Sequence, residues 1–278
     1  MDTPIFNPNS WLRTQQNNAL TQRLPVLFVG HGSPMNALWD NTFTQQLQLW
    51  PAQFEQPQSI LVISAHWLSK GTWISTTAHP TTIYDFGGFD ERLYQINYGA
   101  PGDPARAQAL VTKLSEFDAL ADPQHGFDHG AWTVLKFLYP KANIPVFEMS
   151  IDYYQPPSYH YQLAKDIQQL RDKGVLIICS GNIVHNLRNL NFQHVDAAPF
   201  DWAVSFDEFI KKQLLDRNDQ AMIHYEKMGA IAEIAVPTND HYLPLIYALG
   251  ATNPDEKIVF WHEGFQHGSI SMRCIQFG

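Results

Sequence analysis

Three uninterrupted apolar runs constrain the fold of this chain more than any other feature: "VLFVG" at 26–30, "SILVIS" at 59–64 and "VLIICS" at 175–180. They are rich in Val, Ile and Leu, and none shows the apolar–polar alternation of a strand with one wet face. Such runs are strands covered on both sides, as in the centre of a parallel sheet. Longer amphipathic stretches separate them. Strand-then-helix alternation specifies an α/β domain, with helices flanking a largely parallel or mixed central sheet. Strands are expected at roughly 25–30, 59–65, 72–77, 144–150, 175–180, 257–262 and 269–277, and helices at roughly 35–50, 103–117, 129–139, 157–172, 199–216 and 240–249. With no repeat or linker to divide the chain, 24–278 reads as one domain. Residues 1–23 read as an N-terminal appendage, and 78–102 as a long functional loop.

The same runs raise a chemical question, because His31 directly follows the first and His66 closely follows the second. Ligands of open α/β sheets bind beyond the carboxyl ends of the strands, so both imidazoles are expected in one crevice. Either alone reads as a loop histidine. Together they point to a metal, since neutral imidazole is a common metal ligand. His185, in "SGNIVHNL", follows the third run, and Ser180–Asn182 suggest a strand-to-helix turn that places it in a first helical turn as a ligand or a base beside one. His241, in "NDHYLPLIYALG", is expected at a helix start, with Asn239 or Asp240 as cap and Tyr242, Ile246 and Leu249 as an apolar stripe. His129, in "GFDHGAW", also precedes a helix, beside Asp128, which suits orienting a ring or binding substrate. The default for His79, His125, His160, His194 and His224 is a solvated surface position.

Composition narrows the function classes. The formal net charge is −9, with no basic run or basic–aromatic stripe, which argues against nucleic-acid and anionic-membrane partners. No apolar stretch approaches the ~18–20 residues of a membrane span. The two cysteines, Cys179 and Cys274, form no disulfide framework or CxxC site. A reducing, cytoplasmic setting is expected. There is no HExxH, P-loop, GxGxxG or GxSxG motif. What remains is a histidine-rich site with open positions, suited to Fe(II), Zn(II) or, less well, Mn(II).

Six segments in order, "GHGSPMN" (30–36), "SAHW" (64–67), "TIYDFGGF" (82–89), "GFDHGAW" (126–132), "SGNIVHNLR" (180–188) and "HYLPLIYALGA" (241–251), resemble the DODA-type extradiol ring-opening dioxygenases. These are class III extradiol enzymes, similar in fold to the protocatechuate 4,5-dioxygenase catalytic subunit. The resemblance runs from about residue 24 to the C-terminus. It implies one divalent metal per chain held by His31, His66 and His241, with His185 as acid/base or fourth ligand and His129 against substrate or dioxygen. It implies a catechol, L-DOPA-like or related, and O₂ as reactants. Fe(II) is the metal expected for ring cleavage and Zn(II) the metal expected on purification. Where the wider superfamily has a carboxylate as third ligand, this chain has His241. Two other readings stay open: a zinc hydrolase using the same histidines, and a non-catalytic Memo-like binding protein. An amino-acid catechol calls for a cation and an anion near the pocket; Arg188, Arg92 and Asp85 are candidates, and His262 and His267 are candidates for its lining.

Overall fold

Alternation within the apolar runs builds the core. The computed structural model describes residues 22–278, so nearly all of the expected 1–23 appendage lies outside the described residues. A six-stranded sheet contains β1 (Val26–Gly30), β2 (Ser59–Ser64), β3 (Val146–Glu148), β4 (Val175–Gly181), β5 (Ile258–His262) and β6 (Cys274–Phe277), in the spatial order β3-β2-β4-β1-β6-β5. The first four are mutually parallel, while β6 and β5 add an antiparallel edge beyond β1. The sheet is therefore mixed, with its three apolar runs adjacent at the centre and buried along their whole length.

Among the described residues there are eight α-helices: α1 (Thr42–Leu49), α2 (Pro104–Lys113), α3 (His129–Leu138), α4 (Pro157–Ile167), α5 (Asp201–Leu215), α6 (Asp219–Ile223), α7 (Ala230–Ala235) and α8 (Leu243–Gly250). Successive strand side chains point to opposite faces. Val26, Phe28, Leu61, Ile63, Ile177 and Cys179 pack under α2 and α4–α8. Leu27, Val29, Ile60, Val62, Leu176 and Ile178 pack under α1 and α3. Both faces are covered, which is why these strands need no polar alternation.

Several expected elements change form. The helix expected at 35–50 is a 3-10 turn, Pro34–Leu38, followed by α1, because Asn41 caps α1 in a reciprocal box with Thr44 and breaks the run. The strand expected at 72–77 is Trp73–Ser75, which pairs with Leu120–Asp122 outside the central sheet. The strand expected at 269–277 divides into Ile270–Ser271 and β6. α8 is buried on every side rather than along a stripe, and neither Asn239 nor Asp240 caps it with a side chain. The short helices α6 and α7 lack enough periodic sequence to be read in advance.

Candidate metal centre and active site

Strand register brings the first two histidines together. Gly30 of β1 pairs with Gly181 of β4, and Ser64 of β2 pairs with Ser180, so the three strands end level. His31 is the next residue after β1, and its N–H donates to the Gly181 carbonyl at 3.2 Å. His66 follows β2 by two residues. His241 arrives from the turn before α8, where its carbonyl accepts the Asn182 N–H at 2.8 Å. That approach needs glycine at 181, because a Cβ there would lie 2.2 Å from the His241 oxygen. Ring centroids are 5.0 Å apart for His31–His66, 5.3 Å for His31–His241 and 4.9 Å for His66–His241.

Each ring is aimed by an oxygen on its Nδ1. Ser180 Oγ donates to the Gly130 carbonyl and therefore accepts from His31 Nδ1–H at 2.9 Å. Asp240 Oδ2 lies 2.6 Å from His241 Nδ1, and Asp85 Oδ2 lies 3.3 Å from His66 Nδ1. The hydrogen bonds assign the Nδ1–H tautomer to His31 and His241, the Asp85 carboxylate favours the same tautomer at His66, and the Nε2 lone pairs turn inward. His31 Nε2 and His66 Nε2 approach to 3.1 Å, and His241 Nε2 is buried without a hydrogen-bond partner. Facing acceptors at that distance repel unless a cation lies between them. One coordinating atom from each of the three residues lies within 4.8 Å of the others. The donor set fits a divalent metal.

Electrostatics favour the same state. Burial, reinforced by the neighbouring imidazoles, pushes His31, His66 and His185 well below the ordinary histidine range, so they are neutral at pH 7. Burial alone would raise Asp240, but the hydrogen bond from His241 outweighs it and holds the carboxylate ionised. Asp85 is likewise held low by His129 against the effect of burial.

The two remaining site histidines flank the trio. His185 stacks on His241 with centroids 3.5 Å apart and planes 6° from parallel. It is not in a helix, as Ser180–Asn182 had suggested. Ser180 and Gly181 still belong to β4, and the Asn182 side chain donates to the Ser271 carbonyl instead of capping a turn. His185 itself bridges to Ile270 in extended conformation. His129 opens α3, where Asp85 accepts both its N–H and its Nδ1–H at 2.9 Å. Asp128 neither orients a ring nor lines the cavity. It caps α3 at the Ala131 N–H and accepts from Ser64 Oγ.

Comparison with known proteins identifies the family. The family model for the catalytic LigB subunit of aromatic ring-opening dioxygenase matches residues 24–277. The chain belongs to the LigB family. It is 42% identical over 262 residues to the "4,5-DOPA dioxygenase extradiol" of Escherichia coli (strain K12), covering 92% of this chain and 95% of that one. It is 34% identical to the protein of the same name from Beta vulgaris, covering 91% and 96%. The crystal structure of an uncharacterized Escherichia coli K12 protein superposes with a TM-score of 0.80 at 39% identity, covering 92% of this chain and all of that one. This LigB-family chain is a DODA-type extradiol ring-cleaving dioxygenase, metal-dependent, with a small aromatic molecule and O₂ as its reactants. The hydrolase and non-catalytic readings are not favoured.

Above the histidines of this LigB-family site lies a cavity of about 480 Å³. The long loop expected at 78–102 supplies Asp85, Phe86 and Phe89 to it. The loop is pinned by Trp132 Nε1 donating to the Ile83 carbonyl, and by Tyr84 Oη donating to that of Ile96. His267 lines the cavity; His262 does not, and faces Gln46 and Phe43 instead. Arg92 pairs with Asp90 at the surface and Arg188 lies on an exposed turn, so neither lines the cavity. Two supposed surface histidines are packed. His160 is fully buried with Nδ1 2.9 Å from Tyr247 Oη, and His125 stacks on Trp67 at 3.5 Å. What sequence reasoning missed is the ring-orienting role of Ser180, Asp240 and Asp85, which it had named only as a turn residue, a helix cap and a pocket anion; their pairing with the rings only tertiary structure reveals.

Proposed function

We propose that this site opens the ring of a catechol with O₂ on one divalent metal held by His31, His66 and His241. The observation that carries the reading is the convergence of His31, His66 and His241, each with an oxygen beside its Nδ1. We propose Fe(II) as the working metal, since the chemistry it supplies is binding of the diol and electron transfer to O₂, for which Zn(II) has no redox couple.

The remaining residues bind, orient and move protons. His185 is neutral at pH 7 and stacks on a metal-site ring, so it is placed to take a proton from a catechol hydroxyl and return it later. His129 donates Nδ1–H to Asp85, which leaves its Nε2 an acceptor for a substrate hydroxyl. Asp85 fixes His129 and faces His66 through one oxygen, coupling a substrate-contact ring to a metal-site ring. The apolar upper walls limit water around the reacting diol. Residues 24–278 act as one catalytic unit in this reading. A cytoplasmic location fits the two free, buried cysteines.

The test is oxygen uptake with product spectra, run with a catechol panel on Fe(II)-loaded and Zn(II)-loaded protein. O₂-dependent formation of a yellow ring-opened semialdehyde is expected with Fe(II) only. Equal activity with Zn(II) would refute the redox assignment, and no uptake on any catechol with Fe(II) would refute the reading.

A further inference from the structure

His267 is the cavity residue that metal binding and proton transfer leave without a task. It stands in the turn 267–269, between the paired segments Phe265–Gln266 and Ile270–Ser271, and its φ is +54°, with +76° at Gly268 beside it. A side chain in this left-handed region carries a backbone cost that glycine would avoid, and such strain gathers at functional sites. The ring has one nitrogen committed and one open. The Asn191 carbonyl can only accept, so His267 Nδ1 donates to it at 2.9 Å. The His267 N–H donates to the Val195 carbonyl at 2.7 Å, and the His267 carbonyl accepts the Asn191 N–H at 3.0 Å. These three bonds fix the residue between hairpin and loop. They leave Nε2 as the nitrogen open to a ligand in the cavity that His267 lines.

Charge decides what that ligand is. Among the described lining residues there is no Lys or Arg, and there are six histidines. Five of them form the floor, where they serve the metal, proton transfer and the diol. His267 stands apart from these. Its turn leads into Ile270, which bridges to His185, whereas the cavity's carboxylate, Asp85, lies with His129 and His66 at the other side of the floor. An imidazolium at 267 is thus the cation that the wall can offer. A proton added at Nε2 leaves the Asn191 bond in place, and an arriving carboxylate favours the charged ring. Leu187, Leu190 and Phe192 line the cavity from the adjoining segment, and in such apolar surroundings a charge-assisted hydrogen bond is stronger than in water. We propose that His267 is a specificity-determining residue, whose imidazolium holds a carboxylate on the catechol's side chain through an Nε2–H···O⁻ hydrogen bond. An amino-acid side chain supplies such a group, and so does a propionate. The proposal rests on the catechol-opening reading of the site.

The experiment compares 3,4-dihydroxyphenylpropionate with its uncharged amide, and both with unsubstituted catechol. Binding is measured by calorimetry on the full-length Zn(II)-loaded protein, and KM and kcat on the Fe(II)-loaded form. The parent should bind the acid more tightly than the amide by roughly tenfold to a hundredfold, the contribution of a hydrogen bond to a charged group. His267→Asn removes the imidazole and keeps a residue that tolerates positive φ. In this variant the acid-to-amide ratio should fall to near one, with the loss in KM rather than in kcat. If His267 merely anchors the 191–195 loop, the variant will lose acid, amide and catechol alike with the ratio intact, and the proposal is overturned. A parent that binds the acid no better than the amide overturns it without any variant. Either result leaves the catechol-opening reading standing. If no catechol binds or is opened by the loaded parent, that reading fails, and the proposal with it.

Discussion

Three oxygens aim the rings of the candidate metal centre. Ser180, Asp85 and Asp240 set the tautomers of His31, His66 and His241, and so decide which nitrogen is offered inward. Asp85→Asn replaces the carboxylate that accepts His129 Nδ1–H and lies 3.3 Å from His66 Nδ1 with an amide that can present N–H to both. Loss of an outer-shell partner of this kind typically costs about 10–100-fold in metal affinity or activity. Chelator-competition titration should show that loss; unchanged affinity and turnover would remove Asp85 from the mechanism. Behind α3, Glu148 is fully buried against Asp128, and His125 Nε2 lies 3.6 Å from its Oε2. Burial first, with the Glu148 charge in addition for Asp128 and the Asp85 charge in addition for Glu148, pushes both carboxyls well above their ordinary range. The unfolded chain ionises Glu at about pH 4.3. This stabilisation is therefore complete below that pH and is lost as pH rises toward the folded value. Glu148→Gln keeps a donor beside Asp128 at every pH. Its melting temperature should match the parent near pH 4 and exceed it increasingly toward pH 8; parallel pH profiles would contradict a raised Glu148 carboxyl.

At the scale of elements, residues immediately beyond a buried strand were readable from sequence, and residues one turn further were not. His31 and His66 follow strands that both faces of the core demand, so their convergence follows from the parallel arrangement. His185 was expected correctly near the same edge but in the wrong backbone, because Ser-Gly-Asn reads equally as a helix entry and as a strand that continues. The choice is made by distant partners: Ser271 takes the Asn182 side chain, and Ile270 bridges to His185. Asp85 lies in a loop without periodicity, and its pairing with His129 spans 44 positions. Gly181 shows how tightly these elements meet. Gly181→Ala puts a methyl group against the His241 carbonyl, and overpacking of this kind costs about 1–3 kcal/mol. The variant should lose metal along with stability, as the 240–242 turn is pushed from β4. Full metal occupancy with an unchanged melting temperature would contradict the packing account.

For the whole molecule, a cluster of neutral buried imidazoles links metal, fold and pH. Below about pH 6.5 the unfolded chain takes up protons at His31, His66 and His185, whereas the folded chain resists them. Stability from these groups is present above that pH and is lost as pH falls, by at most about 1.4 kcal/mol per pH unit for each imidazole. Metal-free protein should therefore melt at progressively lower temperature from pH 7 to pH 5, and loaded protein should release metal over the same interval. A melting temperature independent of pH across it would contradict the neutral cluster.

The central claim is that three histidines from three separate elements share one metal. Anomalous diffraction from crystals of the metal-loaded protein, recorded above and below the metal's absorption edge, tests it most directly. The account predicts one strong peak bonded to Nε2 of His31, His66 and His241. A peak at His125, Asp128 and Glu148 instead, or none among the three Nε2 atoms, would contradict it.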